Sequence, residues 1–233
     1  MATIRSTVLA TGALALAFGC APSNPGFVAE GALAPDTMCL YTATNALLVE
    51  GTLDIQPDVP TAYRPRGITY AVALRVDNQL INNANRAFPL MADPDRIVLD
   101  NVEVTLLDAG EQTLSLPGLP NPYLVPATGA VASTESLDPT LGIGAATIIP
   151  DSYGQQLASS FGTSGGNIVA RMRVIGTTAG GATLTTGPIV FPITLCVGCL
   201  FQGACDAMHN AILSPSCLPG QDSVSQIPPS GGC

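Results

Sequence analysis

The 233-residue sequence has no tryptophan, a single histidine (His209) and an aromatic share of only 5%. The missing Trp removes the core residue that marks antibody-type domains. Positive charge is also scarce: the eight basic residues are all Arg, against 17 Asp and Glu, for a net charge of −9. That balance excludes a nucleic-acid surface driven by counterion release. Long apolar runs are absent too. The most apolar stretch of the body, from Gly187 to Phe201, is too short to span a bilayer and carries Pro188 and Pro192. Apolar residues nevertheless make up 47% of the chain, enough surface to bury and so an argument against global disorder. With 24 Gly and 20 Pro the sequence stays below the roughly 25–30% load of low-complexity chains. One globular domain with appendages fits this length.

The N-terminus reads as an export signal over residues 1–19. Arg5 lies in a short n-region, an apolar run extends from Val8 to Phe18, and small Gly19 precedes Cys20. At ~1.5 Å per residue the run covers about 16 Å, roughly half of a bilayer core. Ala17-Phe18-Gly19-Cys20 resembles the lipobox of bacterial lipoproteins, although Ala17 stands where that family usually has Leu. The resemblance implies cleavage before Cys20 and acyl chains, palmitate among them, on its amino group and sulfur. Two or three such chains anchor a protein stably. Ala21 is not the Asp that retains some lipoproteins in the inner membrane, so the family rule favours the outer membrane. The alternative is an ordinary secretory signal cleaved nearby, which leaves Cys20 plain or disulfide-bonded.

Seven cysteines are an odd number for an exported chain. Lipidation of Cys20 leaves Cys39, Cys196, Cys199, Cys205, Cys217 and Cys233, enough for three disulfides among fifteen connectivities. Cys39 precedes the first strand signal and Cys196 ends the last. A bond from Cys39 into the Cys196/Cys199 pair is therefore the expectation.

Between these marks the organisation is mostly β. Residues 20–38 are rich in Pro, Gly and Ala and read as a lipidated flexible tether. Period-two alternation then runs through Leu47, Val49, Leu53 and Ile55, and through Ile68, Tyr70, Val72, Leu74 and Val76. Ile97 and Leu99 set one phase and Val102, Val104 and Leu106 the other, so a bulge or a turn is expected at Asp100-Asn101. Leu114 and Leu116 continue the pattern weakly. Ile168, Ala170, Met172 and Val174 form a further strand against Arg171 and Arg173, and Ile189, Phe191, Ile193 and Leu195 the last. Pro188 and Pro192 restrict that strand to an edge or an irregular position. About seven strands with turn-rich connections predict an all-β fold, an antiparallel Ig-like β-sandwich over residues 39–196. Helical insertions are expected at Asp151–Phe161, with Asp151 as N-cap and Gly162 as stop, and at Gly203–Leu213. Residues 197–233 form a cysteine-rich irregular segment that disulfides must order.

Few residues carry recognisable chemistry. Cys196-Val-Gly-Cys199 with Cys205, His209 and Cys217 contains the atoms for a tetrahedral zinc site, but export favours disulfides and no second CxxC follows. A thioredoxin-type redox site needs its CxxC at a helix start after a strand. Gly162-Thr163-Ser164-Gly165-Gly166 superficially resembles the GDSGG run of trypsin-like proteases. It lies between a helix and a strand, the reverse of a nucleophile elbow, and His209 follows the serine where that family has it first. Asp93, Asp95 and Asp100 match no EF-hand spacing and read as turn residues. No Gly-rich phosphate loop opens a helix, so no nucleotide is expected. Arg64, Arg66, Arg75, Arg171 and Arg173 are expected to pair with carboxylates on the solvent face of the sheet.

The β-rich body and the cysteine-rich tail with Cys217-Leu-Pro-Gly-Gln-Asp loosely resemble small exported lipoproteins of unknown function from Gram-negative bacteria with GC-rich genomes. The resemblance carries no activity. The expectation is a non-catalytic protein without metal or cofactor, held to the outer membrane by its lipid anchor, with other envelope proteins as partners. A secreted or tethered binder of small molecules or glycans is the alternative.

Overall fold

The computed structural model describes residues 26–81, 93–134, 138–203 and 216–227. The signal sequence, Cys20, Cys205, His209 and Cys233 lie outside the described residues. So does the second expected helix, apart from Gly203.

Among the described residues twelve strands and one α-helix follow in chain order: β1 (Phe27–Ala32), β2 (Gly51–Asp54), β3 (Tyr70–Asn78), β4 (Ile97–Asp108), β5 (Tyr123–Thr128), β6 (Ala130–Val131), β7 (Thr140–Ile149), α1 (Asp151–Phe161), β8 (Gly166–Thr178), β9 (Thr183–Thr185), β10 (Ile189–Cys196), β11 (Phe201–Gly203) and β12 (Ser225–Ile227). The main sheet runs β1-β3-β7-β5-β4-β8-β10-β2, and β6 and β9 hang from β4 and β8. The all-β reading holds, but the sandwich does not. One continuous sheet of eight strands curls into a half-barrel instead of splitting into two stacked layers. Most neighbours are antiparallel, while β2 joins β10 in parallel and β11 joins β12 likewise. Among the described residues no helix is long and apolar enough to cross a membrane.

Alternation explains the curl. Ile168, Ala170, Met172 and Val174 point into the core and are essentially inaccessible, whereas Arg171 and Arg173 between them face solvent. Tyr70, Leu74 and Val76 do the same in β3, and Ile189, Phe191, Ile193 and Leu195 in β10. The single apolar face of the sheet must wrap on itself to leave water, and area burial is the main term that favours the wrap. The phase flip near Asp100 is a bulge: β4 and β8 change register between Leu99 and Asn101. Both Leu99 and Val102 thereby reach the core within one uninterrupted strand. Pro192 also sits as expected. On its far side β10 gains a neighbour only from Ile193, which pairs with Gly51.

Three expectations are corrected. The tether ends sooner than residue 38, because Phe27–Ala32 pairs with β3 and Phe27, Ala32 and Leu33 are each only 1% exposed. Its Pro/Gly-rich flanks hide a short apolar edge strand. The alternation from Leu47 to Ile55 is not one strand, since Val49 is 86% exposed. The chain changes partner there. Leu47 bridges Leu33, the Leu48 amide donates to Ala32 O at 2.8 Å, and Gly51–Asp54 then joins β10. One short stretch thus lies against β1 at one edge of the half-barrel and supplies the edge strand β2 at the other. Finally, α1 has the expected bounds, but its N-cap is Pro150 and not Asp151. The Asp151 carboxylate accepts the Ile68 amide at 2.7 Å and so ties the helix to the chain entering β3.

The helix buries Tyr153, Gly154 and Leu157. Tyr153 stacks on Tyr123 with ring centroids 3.9 Å apart, and its hydroxyl donates to Pro120 O at 2.7 Å. Tyr123 donates to Ile148 O at 2.6 Å, and burial pushes its phenol well above the ordinary range. Gly154 is obligatory here, because a Cβ would run into Ile68 O.

Candidate functional site at the stapled end of the half-barrel

The strands have two ends. At the first, Phe27 pairs with Asn78, Asn78 with Thr140, and Ile97 with Thr178. The second carries the start of β3, α1, the end of β10 and the tail residues, and the chemistry-bearing side chains gather there.

Two disulfides staple this end, Cys39–Cys217 and Cys196–Cys199. The expected link from Cys39 into the CxxC does not form. Neighbouring Cys196 and Cys199 close a turn at the end of β10 on themselves, and Cys39 holds the tail instead. Asp54, fully buried at the end of β2, organises the CxxC turn. Its carboxylate accepts backbone amides of Gln56, Gly198 and Leu200, each at 2.9 Å. Those amides satisfy the oxygens of a carboxyl group that water does not reach.

Arg64 completes this cluster and is not the solvent-face arginine expected from the sequence. It is 4% exposed and donates to Gln56 O at 2.7 Å and Asp54 O at 2.6 Å. Its guanidinium lies 3.8 Å from Asp54 Oδ1 and over the Phe201 ring, 4.7 Å from the centroid. Burial lowers its pKa, and the charges of Asp54 and Asp151 oppose that. Arg75 behaves as expected and pairs with Glu30.

The tail lies along the outer side of β2 and the start of β3. The Asp54 amide donates to Gly220 O and the Asp222 amide to Thr52 O, both at 2.9 Å. Gln221, 5% exposed, accepts the Ala71 amide at 2.8 Å and donates back to Ala71 O. Asp222 accepts the Tyr70 hydroxyl and, at 2.8 Å, the Thr52 amide. Burial, followed by the Asp222 charge, drives the Tyr70 phenol far above its ordinary value.

Outside this polar cluster, a groove of about 400 Å³ crosses the outer face of β3, β7 and β5. Its floor is made of small residues, among them Ala73, Ala145 and Thr147, and its rim of Tyr41, Arg66 and Leu218. A second recess of about 220 Å³, which shares Arg66, Ala71 and Leu218 with it, continues toward Cys217. The small floor residues follow from the outward phase of β3, where alternate positions are alanine. Sequence reasoning missed this groove because its rim comes from segments without periodicity, around Tyr41 and Leu218.

Asp54, Cys196 and Cys199 have ligand atoms within 4.8 Å of one another. Both sulfurs are committed to a disulfide and the carboxylate to three amides, so this set does not fit a metal ion. The zinc set weighed from the sequence loses Cys196, Cys199 and Cys217 to disulfides. Asp93 is a turn residue, accepting the Asp95 and Ser133 amides, both at 3.0 Å. Burial works against its ionisation, but these bonds outweigh it and hold its pKa below the ordinary value. Gly162–Ser164 is a single 3-10 turn between α1 and β8.

No protein-family model matches the chain, and neither does any curated protein.

Proposed function

We propose that this chain is an exported lipoprotein, anchored by acylated Cys20 in the outer membrane, whose half-barrel serves a non-catalytic structural or protein-interaction role in the cell envelope. One observation supports the non-catalytic reading above the others. The clustered polar side chains, Asp54, Arg64, Tyr70, Gln221 and Asp222, are all engaged in bonds that hold the tail and the CxxC turn in place. The disulfides fit an oxidising, extracytoplasmic compartment. The lipobox-like junction at Cys20 supports the anchor. The groove beside Tyr41 and Arg66 favours a second reading, a tethered binder of a small molecule or glycan, since concave sites with a few polar groups are where such ligands bind.

Intact mass of the protein from membranes tests the anchor: an acylated chain beginning at Cys20 is expected, and an unacylated chain beginning elsewhere would overturn it. Titration against glycan and envelope-protein arrays separates the roles. Saturable binding to one sugar, weakened by Arg66→Ala, would favour the binder.

A further inference from the structure

We infer that the end of the half-barrel where Gly26 and Phe27 enter it faces the bilayer, and that the stapled end with its groove points away from the membrane. The inference rests on the proposed acylation of Cys20, and the surface it identifies is one for lipid headgroups. The described structure begins six positions after Cys20. The Gln79 amide donates to Gly26 O at 2.8 Å, and Phe27 is 1% exposed in the core. Residues 21–25 alone separate Cys20 from Gly26. Fully extended at ~3.3–3.6 Å per residue, the link spans about 20 Å. A tether reaching residue 38 would have allowed about 65 Å and imposed no orientation.

The length of the domain exceeds that reach. β8 runs from one end to the other, from Gly166 at the stapled end to Thr178 at the entry end, about 40 Å at ~3.3 Å per residue. With its entry end held near the headgroups, the domain brings its stapled end to the surface only by lying flat. Two features oppose that. From Cys20 on, without Arg5, the chain carries seven Arg against 17 Asp and Glu, a charge of −10, and anionic headgroups repel it when it lies flat. The entry end offers apolar contact to the interface through Ile81, 51% exposed, beside partly buried Leu80.

The test uses the full chain, purified from membranes and reconstituted into vesicles of phosphatidylethanolamine and phosphatidylglycerol with acceptor-labelled headgroups. A non-canonical residue carries the donor dye, placed either at Ala182 on the entry end or at Ser159 on α1, both exposed. Energy transfer from position 182 is expected to be several-fold stronger than from 159. An insertion of about twenty Gly and Ser residues after Ala21 is expected to abolish the difference. Equal or reversed transfer from an acylated chain would overturn the orientation and leave the anchor standing. An unacylated mass would overturn both.

Discussion

The Tyr70 hydroxyl donates a hydrogen bond to Asp222, 152 positions later in the chain, at 2.7 Å from Oδ1 and 2.8 Å from Oδ2. The two residues join the start of a core strand to the tail, and Asp222 also receives the Thr52 amide. Tyr70→Phe keeps the buried ring and removes the donor. Bonds to charged groups contribute about 1.5–3 kcal/mol. Asp222 is solvent-exposed, so the expected loss is near the lower limit, about 1.5 kcal/mol in urea unfolding. Asp222→Asn should cost less, because its side chain still accepts.

The two disulfides should differ sharply in their contributions. Cys39–Cys217 spans 178 positions and Cys196–Cys199 only three. Stabilisation by restriction of the unfolded chain grows with loop length, and typical bonds supply ~2–4 kcal/mol. The Cys39→Ala/Cys217→Ala pair should fall in or above that range, and the Cys196→Ala/Cys199→Ala pair should lose markedly less. Urea midpoints of the two double variants check the order.

How far the sequence carried follows from the range of its signals. Alternation identifies β3, β8 and β10 with their inward residues, and the phase flip at Asp100 gives the bulge, because one-sided burial writes period two into local sequence. Strand order is not local. Nothing in the alternation says that eight strands close on one curled face and not on two stacked ones. β1 was hidden by its proline- and glycine-rich flanks. β7 was missed because small residues, among them Gly142, Gly144, Ala145 and Ala146, blur the contrast between its faces. Arg64 looked like a surface cation because its buried partners, Asp54, Gln56 and Phe201, lie on segments the chain brings together only in three dimensions.

Asp77 makes stability depend on pH. Burial raises its pKa to about 6, helped by a hydrogen bond and like charge from Glu30 and opposed by Arg75. Its Oδ1 is buried and has no hydrogen-bond partner among the described residues. The folded chain therefore holds this proton more firmly than the unfolded chain, whose Asp titrates near 3.8. The sign follows: between about pH 4 and 6 this group makes stability fall as pH rises, and above that window its contribution is constant. Asp77→Asn should flatten that component and raise the midpoint of thermal unfolding at pH 7 relative to pH 4. Melting curves across pH 4–7 for both proteins check this, and an unchanged profile in the variant would contradict the assignment.

Four of the six cysteines after Cys20 are joined, which leaves Cys205 and Cys233. They follow β11 and β12, parallel strands whose register sets Gly203 beside Ile227. Cys205 comes two positions after Gly203 and Cys233 six after Ile227, so at ~3.3–3.6 Å per residue chain length permits the two sulfurs to meet. In thiol–disulfide exchange the two thiols pass two electrons and two protons to an external disulfide, which becomes two thiols. Non-reducing peptide mapping of the native protein should find Cys205 linked to Cys233. A Cys20–Cys205 or Cys20–Cys233 peptide would instead show that the first sulfur is not acylated, and would remove the anchor with it.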